Sequence, residues 1–76
     1  MRIRIIKNNL EEMINQYSER TGATKTWISK QLEMSPQRLY QLYKSNNMYV
    51  DIALKFAEFL NCDVKDLFEY EIITKL

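Results

Sequence analysis

Between Pro36 and Val50 the chain carries Gln37, Arg38, Gln41 and Lys44 and no Asp or Glu. A glutamine amide holds a donor and an acceptor side by side, which matches the N7 and N6 edge of adenine. A guanidinium does the same for O6 and N7 of guanine. On a helix turning ~100° per residue, with Gln37 at zero, Gln41 falls at about 40° and Lys44 at about 340°. Arg38 and Tyr40 flank this stripe at about 100° and about 300°, and Leu39, Leu42 and Tyr43 fall opposite, between about 140° and about 240°. One flank is apolar enough to bury. The other holds groups that could read base edges: Gln37, Gln41 and, beside them, Arg38. Ser35, Tyr40, Lys44, Ser45, Asn46 and Asn47 supply hydroxyl, amide and cationic donors suited to phosphate oxygens. Thr24, Lys25 and Thr26 open the preceding helix, where the positive end of the helix dipole adds to a phosphate site. A polar stripe alone also describes an ordinary solvated helix face. The absence of acids is what favours a polyanion.

The charge distribution supports that choice. The whole chain of 76 residues has a formal net charge of +1. Residues 1–19 sum to zero, residues 20–50 to +4 and residues 51–76 to −3. A basic middle on a neutral-to-acidic body suits contact with a polyanion through one face. The acids after residue 50 read as a solvated face.

Composition excludes other classes. The length fits one domain, 1–76, with a core over 9–68. Apolar residues make up 46% and charged residues 28%, a globular balance. With one Cys and no His, no internal disulfide and no Cys–His zinc finger can form. A single Gly rules out a glycine-rich phosphate loop. No apolar run reaches membrane-span length, and Met1–Lys7 is not a signal peptide. No Ser, Cys or Lys has a sequence partner that would activate it. The expectation is a cytoplasmic protein that is not an enzyme, with no cofactor and no metal.

The elements that must position the stripe follow from spacing and caps. Leu10, Met13, Ile14 and Tyr17 mark a first helix, which Gly22 can end in the left-handed conformation. Thr24 caps a second helix that carries Trp27, Ile28 and Leu32 and ends near Glu33. Ser35-Pro36 caps and starts a third, to about Lys44. Ser45-Asn46-Asn47 is a polar break. Val50, Ala53, Phe56, Ala57 and Leu60 mark a fourth helix that Asn61 can end, and Asp63 caps a short fifth turn with Val64 and Leu67. Residues 2–6 and 69–74 alternate with period two. Antiparallel pairing of these ends would set Arg2 and Arg4 against Glu69 and Glu71, and Ile3 and Ile5 near Tyr70 and Ile72. Such a ribbon could close within one chain or between two.

Two short helices joined by a tight turn form a helix-turn-helix. Thr24 to Lys44, TKTWISKQLEMSPQRLYQLYK, resembles the helix-turn-helix of phage-repressor and Cro-type regulators. The resemblance runs from Asn9 to Phe68 and includes VDIALKFAEFLNCDVKDLF as the fourth helix and following turn. It rests mainly on Ile28, Leu32, Met34, Leu39, Leu42, Ala57, Leu60, Val64 and Leu67. It implies base-reading positions at Pro36, Gln37 and Gln41. It also implies a backbone contact at the start of the second helix, where Lys25 stands in place of the usual Gln. The small residue inside the second helix is Ser29. Glu33 takes the turn position that is commonly Gly, and Tyr43-Lys44-Ser45 replaces a frequent Glu-x-Gly.

The expected fold class is therefore all-α: a five-helix lambda-repressor-like DNA-binding domain with a two-stranded antiparallel ribbon from the termini. The expected partners are double-stranded DNA bearing a pseudo-palindromic operator and a second copy of the chain. A protein-interaction module on the same scaffold, binding another regulator and not DNA, is the rival reading, and Glu33 and Pro36 favour it. Trp27 and the four methionines read as packing residues and Cys62 as a buried inert thiol. Tyr40 and Tyr49 suit either a phosphate contact or a core edge.

Overall fold

The computed structural model describes residues 2–73. Among these, the chain runs β1 (Arg2–Asn8), α1 (Leu10–Thr21), α2 (Lys25–Gln31), α3 (Pro36–Tyr43), β2 (Asn47–Tyr49), α4 (Val50–Leu60), α5 (Val64–Leu67) and β3 (Phe68–Ile73). The five helices stand where the caps and apolar spacings put them. The expected all-α class and the two-stranded ribbon need correction. The sheet has three antiparallel strands in the order β2-β1-β3, so β1 is its centre.

The terminal pairing closes within the chain. Ile3 faces Ile72, Arg4 faces Glu71 and Ile5 faces Tyr70, as the alternation implied, but Arg2 faces Ile73 and Glu69 faces Lys7, so the second expected Arg–Glu pair does not form. The register then slips by one residue between Ile5 and Lys7. The slip makes Ile6 a bulge, and Ile6 stays exposed. On the other flank, Ile3 faces Met48. Three residues are too few for a period of two to show in the sequence, and their Asn-rich approach reads as loop. Met48 supplies the missing signal only in three dimensions, because it is buried in the core. Thr74, the last residue of the expected ribbon, lies outside the described residues.

Caps set the helix lengths. Gly22 ends α1 at φ 76°, and its N–H donates to the Ser18 carbonyl at 2.8 Å. Asn61 ends α4 at φ 55°. Thr24 Oγ1 accepts from Trp27 N at 3.1 Å, and Ser35 Oγ from Arg38 N at 3.1 Å. α1 is capped from one residue further out, by Asn8 rather than by the side chain of Asn9. Asn8 Oδ1 accepts from Leu10 N at 2.9 Å, and Asn8 Nδ2 donates to the carbonyls of Leu42 and Ser45 at 3.0 and 3.1 Å.

The core lies between the sheet and the helices. Ile3, Ile5, Met48 and Phe68 enter it from the strands, and Leu10, Ile14, Ile28, Leu39, Phe56 and Leu67 from the helices. An isolated helix as short as α3 is not stable in water. Burying Leu39 and Leu42 contributes about 3–6 kcal/mol, enough to hold it in place.

Gly22 offers a clean test of the αL cap. A Cβ there would meet nothing within 4 Å, so only backbone strain opposes Gly22→Ala. The variant is expected to lose about 1 kcal/mol of stability by urea unfolding. An unshifted midpoint would mean that the cap is not left-handed.

Candidate nucleic-acid interface

The interface is built on the turn between α2 and α3. Leu32 N donates to the Ile28 carbonyl at 3.1 Å, Glu33 N to Lys30 O at 3.0 Å and Met34 N to Ser29 O at 3.0 Å. Glu33 sits at φ 58°, a left-handed conformation that disfavours a side chain with Cβ. The carboxylate of Glu33 turns to Lys55 of α4 at 3.5 Å, and the same Lys55 Nζ donates to Leu32 O at 3.1 Å. Lys55 therefore both caps the end of α2 and offsets the one acid of the basic segment. Ser29, the small residue of α2, is fully buried, and its hydroxyl donates to Thr26 O at 2.8 Å. That satisfies the one buried hydroxyl of α2 where the two helices meet.

From the turn, Pro36 starts α3 at its first position, where its missing N–H is harmless. Leu39 and Leu42 are buried, while Gln37, Arg38, Tyr40, Gln41 and Lys44 are exposed. Gln37, Gln41 and Lys44 thus form one open stripe along the helix. Arg38 lies off that stripe, on the flank that looks toward β2. Tyr40 is 48% exposed and stacks on Tyr43, with ring centroids 5.7 Å apart.

The remaining candidates divide. Thr24, Thr26 and Ser35 are exposed, and Thr24 and Ser35 already use a hydroxyl lone pair as caps. Lys25 is half-buried at the start of α2. Asn46 and Asn47 are not a free loop. The Asn46 carbonyl accepts from Ile5 N at 2.7 Å, Asn47 opens β2, and Asn47 Oδ1 accepts from Arg2 at 2.9 Å. The Ser45 hydroxyl donates to the Asn47 carbonyl.

Asn8 and Lys55 escaped the sequence reading as positioning groups, and Arg2, expected opposite a glutamate, turns instead to Asn47. Each acts across a sequence separation of 22 residues or more, and no local pattern signals such a contact. Trp27 is 46% exposed and packs at the surface with Phe59, centroids 6.4 Å apart. Cys62 is half-buried rather than buried. Burial, then the nearby charges of Asp66 and Asp63, push its thiol up. Asp51, Glu58, Asp63, Asp66, Glu69 and Glu71 are all exposed.

Helices packed through a tight turn, with the second presenting an acid-free polar stripe, define a helix-turn-helix protein. Residues 2–72 match the Cro/C1-type HTH DNA-binding domain, and the chain belongs to that family. It is a DNA-binding regulator, and its partner is double-stranded DNA. Among curated proteins, none matches the chain. No helix among the described residues is long and apolar enough to cross a membrane.

Tyr43, at the end of α3, reports on this packing. Burial, then the neighbouring Tyr40 and Glu11, push its hydroxyl up to about 12, against about 10 when unfolded. The unfolded chain sheds that proton first as pH rises. The group's contribution to stability is therefore complete below about pH 10 and lost progressively toward about pH 12. In a tyrosinate absorbance titration, one of the five tyrosines is expected to ionise late, and Tyr43→Phe to remove that phase.

Proposed function

We propose that this chain is a sequence-specific, repressor-like transcriptional regulator of a phage, prophage or similar mobile element. It acts by occupancy, with α3 in the major groove and the bound protein blocking polymerase or a competing regulator. The observation that carries the reading is the division of α3: Leu39 and Leu42 buried, and Gln37, Gln41 and Lys44 open beside no carboxylate of their own segment. Gln37 and Gln41 read base edges. Lys25, Thr26 and Lys44 hold phosphates, with Thr24, Ser35, Tyr40 and Ser45 beside them. The phage origin and the repressing role rest on the resemblance to phage-repressor and Cro-type regulators.

One short reading helix covers few base pairs, so specificity calls for a second copy. A two-fold homodimer sets its reading helices about 34 Å apart on a pseudo-palindrome.

The test is an anisotropy titration against a selected operator and a random duplex. Gln37→Ala or Gln41→Ala is expected to cost about 1–3 kcal/mol on the operator and much less on random DNA. Equal losses on both would remove that residue from base reading. Lys25→Ala or Lys44→Ala is expected to weaken binding to both duplexes, each flattening the log–log salt slope by about 1. A slope that does not move would remove it from phosphate contact. No retention of wild type on any duplex at low salt would replace this reading with the protein-interaction module.

A further inference from the structure

The outer face of β1 carries two arginines in different electrostatic settings. Arg4 is paired with the Glu71 carboxylate on β3. Arg2, two residues away on the same face, has no carboxylate partner among the described residues. Its guanidinium donates instead to Asn47 Oδ1 at 2.9 Å and lies 4.7 Å from the centre of the Tyr49 ring. These β2 side chains hold it beside a concavity whose wall also includes Arg38 of α3 and Ser45. Like charges gather around one hollow here, with no acid in its wall. Arg38 uses its backbone N–H for the Ser35 cap, and its guanidinium pairs with no carboxylate among the described residues.

Two unneutralised guanidiniums repel each other unless an anion lies between them. The hollow holds about 140 Å³, well below the ~300–1,000 Å³ of a drug-sized ligand site. It suits one tetrahedral oxyanion. Arginine presents a planar fork that matches phosphate geometry, and the anion's partners here are the two guanidiniums, since the Ser45 hydroxyl and the Asn47 amide already donate to Asn47 O and Asn46 Oδ1. The hollow lies on the Arg38 flank of α3, beside the stripe of Gln37 and Gln41.

We propose that Arg2 and Arg38 together seat one backbone phosphate of the bound duplex, with Asn47 and Tyr49 acting as positioning residues for Arg2. The inference rests on the DNA-binding reading above and extends it. The N-terminal strand becomes part of the interface, and Arg38 becomes a phosphate contact rather than a base reader. The site fixes how far α3 can slide along the groove without carrying sequence information itself.

Two measurements test it. In the first, salt-dependent anisotropy compares wild type, Arg2→Gln, Arg2→Lys, Arg38→Gln and Arg4→Gln on an operator and a random duplex. Arg2→Gln and Arg38→Gln are expected to weaken both duplexes by the same factor and to flatten the salt slope by about 1 each. Arg2→Lys restores most of the slope, and Arg4→Gln leaves it unchanged. An unchanged slope in Arg2→Gln, with wild type binding normally, overturns the phosphate seat and leaves the DNA reading intact. Loss confined to the operator in Arg38→Gln returns Arg38 to base reading and overturns its part. In the second, inorganic phosphate is added to the free protein and the arginine side-chain Nε–H resonances are followed by NMR. Those of Arg2 and Arg38 are expected to shift together, and the Arg38 shift to vanish in Arg2→Gln. If wild type binds no duplex, the DNA reading fails and this second measurement decides the anion site alone; no shift in wild type would overturn it.

Discussion

The side chain of Asn8 is the constraint on which the arrangement of this small domain depends. Its carbonyl oxygen accepts the first amide of α1, and its amide donates to two carbonyls at the end of α3. Helix ends leave backbone groups without intrahelical partners, and a half-buried one left unpaired costs free energy comparable to a lost hydrogen bond. One side chain at the end of the central strand meets both needs. It ties sheet, α1 and α3 to a common point. The position of α3 is therefore set from behind by a polar tether as well as from beneath by Leu39 and Leu42.

The same economy governs the turn before α3. Glu33 adopts a backbone conformation that suits Gly better, and it brings a carboxylate into the basic segment. Lys55 reaches it from α4 and donates to the Leu32 carbonyl as well. Exposed ion pairs contribute little, on the order of 0–1 kcal/mol, so this contact matters less for stability than for charge. It offsets the single acid of residues 20–50. The departure from the family's usual residue is thus matched by a compensating side chain on another helix.

How much of this could be read from the chain depended on how local the cause was. Gly22, Thr24, Ser35-Pro36 and Asn61 act on the residues next to them, and the helix boundaries follow. The split of α3 into buried leucines and open glutamines follows from helical period alone. The ends of the chain paired as their alternation implied because seven and six residues suffice to show a period of two. β2 escaped because three residues do not. The contacts of Arg2, Asn8 and Lys55 escaped because their partners are distant in sequence and nothing in an Arg, Asn or Lys announces which strand or helix it will meet. The polar stripe of Gln37, Gln41 and Lys44 was legible, but the flank beside it, where Arg38 and Arg2 line one hollow, required the topology.

That topology has an effect on how the molecule comes into being. β1 is made before both of the strands it lies between, and its Arg4 meets a residue 67 positions downstream. The helices can coil early from local contacts, but β1 must wait, with one edge open, until β3 has emerged behind all five of them. Closure of the sheet is in this sense timed by the arrival of β3.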